Sequence, residues 1–112
     1  MANLYKRYET VFGGAGTTNI LTIPDATNAV VRSIIVANPT AGAIDVECTY
    51  SPSGTGTVYV VPSVEVAAAS YVDLLSGKVA GPLILEQTDI LKITSSAANL
   101  NVTVSALLID RN

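Results

Sequence analysis

The chain of 112 residues has no histidine and no tryptophan, one cysteine and one phenylalanine, and only 13% of its residues carry charge. Each shortage excludes something. Lack of histidine removes the commonest general base, the commonest metal ligand and every Ser–His or Cys–His nucleophile pair. A lone cysteine, Cys48, excludes an intramolecular disulfide. Placed midway along the apolar face of "AIDVECTY", it reads as a small buried hydrophobe and not as an activated thiol. The basic residues Lys6, Arg7, Arg32, Lys78, Lys92 and Arg111 are scattered, and the net charge is −3. No stripe exists to neutralise phosphates, so no nucleic-acid partner is expected. Strongly apolar runs stop at about ten residues, well short of a membrane helix. The opening "MANLYKRYET" lacks the apolar centre of a secretory signal, so neither a membrane nor an export route is expected.

The carboxylates are the remaining chemical candidates, and their spacing suits structure better than catalysis. Asp45 and Glu47 stand two apart on one strand face, about 7 Å from each other, too few oxygens for a calcium loop. Glu86 and Asp89 bracket a corner, where acidic residues fit a turn. "GGAGTT" lacks the lysine and following helix of a phosphate loop, and "NVT" at Asn101 reads as a polar strand face. We therefore expect no catalytic residue, no metal site and no cofactor.

What is present is apolar surface in a rhythm of two. The apolar share is 49%, which is ordinary, but the charged share is about half that of a usual soluble domain. A body this small cannot bury all of its Ala, Val, Ile and Leu, so some are expected at contacts between chains. "AIDVECTY" sets Ile44, Val46, Cys48 and Tyr50 against Asp45, Glu47 and Thr49, and "NLNVTVSALLI" sets Leu100, Val102, Val104 and Ala106 against Asn101, Thr103 and Ser105. Strict alternation of this kind predicts strands with one wet face. "NILTI", "VVRSIIVAN", "TVYVV", "SYVDLL", "PLILE" and "DILKIT" are further β-branched runs, separated by turn formers such as "IPDATN", "NPTAGA", "SPSGTGT", "VPS", "SGKVAGP" and "EQTD". "VEVAAASYVDLL" could be argued as a helix from its three alanines, but its valines and Pro62 favour strand. The fold class expected is all-β, an antiparallel β-sandwich or jelly roll of about eight to ten strands. "GPLILEQTDILKI" then becomes two core strands joined at a sharp corner.

One boundary shows. Residues 1–17 read as an N-terminal extended arm with a Gly-rich linker, and residues 18–112 as the sandwich domain. The opening segment concentrates Leu4, Tyr5, Tyr8, Val11 and Phe12, the candidate subunit-contact residues. Two placements stay open for it: a first strand on its own sandwich, or an arm that adds a strand to a neighbouring subunit.

The succession "VVRSIIVANPTAGAIDVEC", "VAAASYVDLL" and "GPLILEQTDILKITSSAANLNVTVSALL" resembles the small all-β accessory structural proteins of tailed-bacteriophage virions. The resemblance runs over about residues 18 to 109 as an order of features, with no invariant motif, and transfers no functional residue. It implies a non-enzymatic virion protein that decorates or cements the capsid, or alternatively an accessory protein of the neck, tail or baseplate. The partners implied are further copies of itself, as a trimer or higher ring, and a major virion protein such as the capsid protein. A host-surface carbohydrate-binding module is the reading from another class, but the loops are Gly, Ser, Thr and Ala and carry few aromatic platforms.

Overall fold

The computed structural model describes residues 3–75 and 83–110. The "SGKVAGP" turn, with Lys78 and the first two residues of "GPLILEQTDILKI", lies outside the described residues, as does Arg111. Nine strands follow one another among the described residues: β1 (Asn3–Val11), β2 (Gly16–Thr22), β3 (Thr27–Asn38), β4 (Ile44–Ser51), β5 (Val58–Val66), β6 (Ser70–Asp73), β7 (Leu83–Leu85), β8 (Ile90–Ser95) and β9 (Asn101–Asp110). A 3-10 turn, Pro52–Gly54, follows β4.

All pairings are antiparallel and build two sheets. The first runs β1-β9-β3-β6, with β7 also on β3, and the second runs β2-β8-β4-β5. β6 and β7 occupy the same flank of β3, one beside residues 35–38 and the other beside 29–31. Taken together as one outer strand, they complete two four-stranded sheets in which sequence neighbours alternate between layers except at the β4–β5 hairpin, which is the jelly-roll arrangement. The expected strand count and class are therefore met.

Alternation decides which residues fill the space between the sheets. Val102, Val104 and Ala106 of β9, Ile44, Val46 and Cys48 of β4, and Leu91 and Ile93 of β8 all face inward and are buried. β3 shows how register adapts. Ala29 and Val31 point inward, the phase shifts at a bulge between Val31 and Ser33, and Ile34 and Val36 take over the inward positions. The extra residue, Arg32, is exposed. Had the strand continued without the bulge, Ser33 would have entered the core and Ile34 would have faced water.

Two local expectations are corrected. The "VPS" turn at residues 61–63 does not form, because β5 runs through it. β5 is the outermost strand of its sheet, where proline's missing N–H costs no ladder bond. The expected strand "SYVDLL" is strand only over Ser70–Asp73, with Leu74 and Leu75 in a turn, and Ala69 at φ 54° lies in the turn that joins it to β5 in the other sheet. The described part of "GPLILEQTDILKI" is a corner as expected, with β7 in one layer and β8 in the other.

Asn38 anchors the end of β3. Its buried side-chain amide donates to the carbonyls of Gly42 (2.7 Å), Val66 (3.0 Å) and Ala67 (3.3 Å). Its oxygen accepts from the amide and hydroxyl of Thr40 (2.9 and 2.6 Å). One side chain thus closes the 38–42 turn and fastens the end of β5 to it.

Candidate functional site

The residues with chemical potential are placed where they serve structure. Asp45 lies on the outer face of the second sheet, directly opposite Glu65, and Glu47 lies opposite Thr94 on the same face. Among the described residues no group of three or more His, Cys, Asp or Glu could hold a metal ion. Asp89 is buried at the β7–β8 corner, and its two oxygens accept from the amides of Ser53 and Glu86, each at 2.9 Å. That carboxylate is a clamp between the corner and the 3-10 turn. Beside it lies a cleft of about 330 Å³ whose lining includes Glu86, Gln87 and one ring, Tyr50. Cys48 is sealed between the sheets, and burial pushes its thiol up to about 12, so it stays protonated and unreactive at neutral pH. Asn101 is exposed at the start of β9, between Val11 and Ala37.

The opening segment forms an edge strand of the first sheet. β1 pairs with β9 of the same chain from Asn3↔Ile109 to Val11↔Asn101 without interruption. Its candidate contact residues separate into distinct environments. Phe12, only 3% exposed, is part of the core, and its amide and carbonyl bond to the carbonyl of Leu100 and the amide of Asn99 (2.9 and 2.7 Å). Tyr8 is half-buried against the core, where desolvation raises its hydroxyl above the usual phenol range, and the Lys6 ammonium lies 5.7 Å from its ring. Leu4, Tyr5 and Val11 are exposed. The "GGAGTT" stretch is a short crossing between layers, and β2 already begins at Gly16.

The outer faces of the two sheets differ. On the second sheet the outward positions include Thr17, Asn19, Asp45, Glu47, Glu65, Lys92 and Thr94, a mostly polar set interrupted by Ile90 and by Tyr59, exposed on β5 opposite Thr49. The first sheet carries instead an apolar row that runs from one edge to the other: Tyr5 on β1 faces Leu107 on β9, which faces Val30 on β3, which faces Ile84 on β7. Tyr5 is 72% and Ile84 53% exposed. At the other end of the same face stand Val11 and Tyr71, in register through Asn101 and Ala37. Of this surface, sequence reasoning found only Tyr5 and Val11. The missed signal was the failure of alternation: "AVV" and "IIV" in β3 and "ALLI" in β9 are apolar on both faces, the pattern of strands covered on both sides.

No family model matches the chain, and no curated protein matches it. Solved structures do match, and some align over most of both chains. A chain in the acid-stable capsid of the Helicobacter pylori bacteriophage KHP30 aligns with TM-score 0.59 at 13% identity, covering 100% of this chain and 90% of that one. A protein of the disulfide-linked pili of Bacillus endospore appendages aligns with TM-score 0.58 at 11% identity, covering 96% and 84%. The Drosophila NLP core, described for pentamer formation and histone binding, aligns with TM-score 0.52 at 11% identity, covering 94% and 97%. These likenesses define the fold. With Cys48 buried, the present chain shows no exposed thiol among its described residues to match the linkage of the pili.

Proposed function

We propose that the protein is a non-enzymatic structural component of a tailed-phage particle, which decorates or cements the capsid through contacts between subunits. The observation that carries the reading is the outer face of the first sheet, where an apolar row crosses one layer of a jelly roll from edge to edge. Exposed apolar surface of this continuity marks a protein interface. The fold is one that a phage capsid chain also uses. A rigid sandwich with few long charged side chains loses little side-chain entropy on docking, and weak contacts repeated over a symmetric lattice add up through avidity. The subunit contacts on β1 are assigned to Leu4, Tyr5 and Val11 with the half-buried Tyr8, while Phe12 serves the chain's own core. An arm exchanged onto a neighbour would keep the β1–β9 register and make it between chains.

The test is electron cryomicroscopy of whole particles produced with this gene. Density of this size in a regular array over the head is the expected result. Density confined to the neck, tail or baseplate would instead assign the protein to the connector apparatus. Absence from the particle would refute the structural reading.

A further inference from the structure

Along the strands, the outer face of the first sheet is ordered as apolar, basic, acidic and apolar rows, and that order is its own complement. The apolar row of Tyr5 and Ile84 is followed, two residues on, by the row of Arg7 and Ser105, with Arg32 at the bulge lining the same shallow depression. Next comes the row of Glu9, Thr103, Ile35 and Asp73, and then the row of Val11 and Tyr71. Successive rows are about 7 Å apart.

We infer that this face is a self-complementary dimer interface, in which two copies stack their first sheets about a twofold axis running across the strands between the basic and acidic rows. This rests on the assembly reading of the preceding section and adds to it the partner, a second copy, and the operator. Rotation about such an axis keeps each strand over its own counterpart and exchanges the rows. Arg7 then faces Glu9 of the other copy, and the twofold makes this contact twice, once in each direction. Arg32 falls over the row containing Ile35 and Asp73. Tyr5 falls over Val11, Val30 over Ala37, and Ile84 over Tyr71. On β1 charge meets opposite charge, and the end rows bring apolar side chains together; Leu107 over Asn101 and the Arg32–Ser33 bulge over Ile35 are mismatched. Within one chain Arg7 and Glu9 already lie 3.3 Å apart, so the dimer closes a ring of four charges from side chains held near their final positions. The second sheet offers no equivalent, since Asp45 and Glu65 oppose each other there as like charges.

Stacked sheets sit about 10 Å apart with strands about 30° off parallel. The face covers about 500 Å² in projection, less than the roughly 800 Å² per partner of a standard interface. Association is therefore concentration-dependent in solution and strengthened where copies are held on a lattice. The higher ring implied by the resemblance needs a further, heterologous contact beyond this one.

Sedimentation velocity over a range of concentrations tests the inference. The wild type is expected to pass from monomer to dimer. Arg7→Glu and Glu9→Arg each place like charges opposite one another and are expected to weaken dimerisation at least tenfold, with unchanged circular dichroism. Mixing the two variants restores complementarity, because a copy with carboxylates at both positions then faces a copy with guanidinium groups at both; dimers reappear in the mixture. A reversal changes the net charge of −3 by two, to −5 in one variant and −1 in the other, so bulk attraction does not explain their pairing. The double variant R7E/E9R is expected to dimerise as the wild type does. A wild type that stays monomeric at every concentration, or single variants that dimerise normally, overturns the inference. A monomer that still binds particles leaves the structural role standing, whereas a dimer absent from particles overturns that role and keeps the dimer.

Discussion

Replacing Asn38 with alanine is expected to be among the costly polar changes in the described core. The side chain is buried and holds two segments at once, the turn to Gly42 and the end of β5 at Val66 and Ala67. Truncation leaves the Val66 carbonyl without that donor in a buried setting, which costs about 1–3 kcal/mol. Water can reach the Gly42 carbonyl more readily, and the loss there is about 1 kcal/mol. With the Thr40 bonds also lost, the destabilisation comes to about 3 kcal/mol. For a chain of this length that corresponds to a fall in Tm of about 12 °C. The assay is urea and thermal unfolding at fixed protein concentration, because any self-association adds to apparent stability. An unchanged denaturant slope with a lowered midpoint is expected. Asn38→Asp sharpens the test. It keeps the acceptor for Thr40 but points a carboxylate at three carbonyl oxygens, so it costs more than alanine at neutral pH. Thr40→Val removes one hydroxyl bond and costs about 1 kcal/mol. If Asn38→Ala shifts the midpoint by less than the Thr40 variant does, or if aspartate is tolerated, the account of Asn38 as a donor to buried carbonyls is refuted.

The thiol of Cys48 stays protonated in the native protein up to about pH 12 but ionises near 9 when unfolded. The stabilisation this provides is complete below about pH 9 and is lost as the pH rises towards 12, up to about 4 kcal/mol. Unfolding free energies of wild type and Cys48→Ala should therefore converge over that window, and a thiol reagent should label Cys48 only on unfolding. Phe12→Ala should destabilise by about 3–5 kcal/mol by opening a core cavity, while Tyr5→Ser, at an exposed position of the same segment, should change monomer stability by less than about 0.5 kcal/mol. Equal effects in urea titrations would contradict the division of the opening segment into core and contact residues. Gly54 has φ +79° with room for a Cβ, 3.8 Å from Ile90 Cδ1. Gly54→Ala should accordingly cost about 1 kcal/mol of backbone strain and no packing, and a loss of several kcal/mol would point to a tighter site.

The local content of the fold was legible because strand alternation is written residue by residue. β4 and β9 could be read from "AIDVECTY" and "NLNVTVSALLI" alone, and the inward residues are the ones that alternation selects. The absence of histidine and the lone, mid-strand Cys48 likewise directed attention from chemistry to surface. Other features were present in the letters but not in any local rule. Pro62 reads as a breaker until β5 is known to be an outermost strand, and the shift from Val31 to Ile34 reads as one strand until pairing with β9 reveals the bulge.

Which layer each strand joins, and which residues therefore share a face, belonged to the tertiary structure. Tyr5, Leu107, Val30 and Ile84 are dispersed from one end of the sequence to the other and meet only because β1, β9, β3 and β7 lie side by side. The same holds for the separation of Phe12 from its neighbours: one step beyond β1 the chain turns between the layers and carries that ring into the core. Composition by itself determined that this chain has more apolar surface than one small core can hide. Only long-range pairing decided that part of the surplus forms a continuous row across one sheet face, because side chains far apart in sequence become a surface only when their strands are hydrogen-bonded in register.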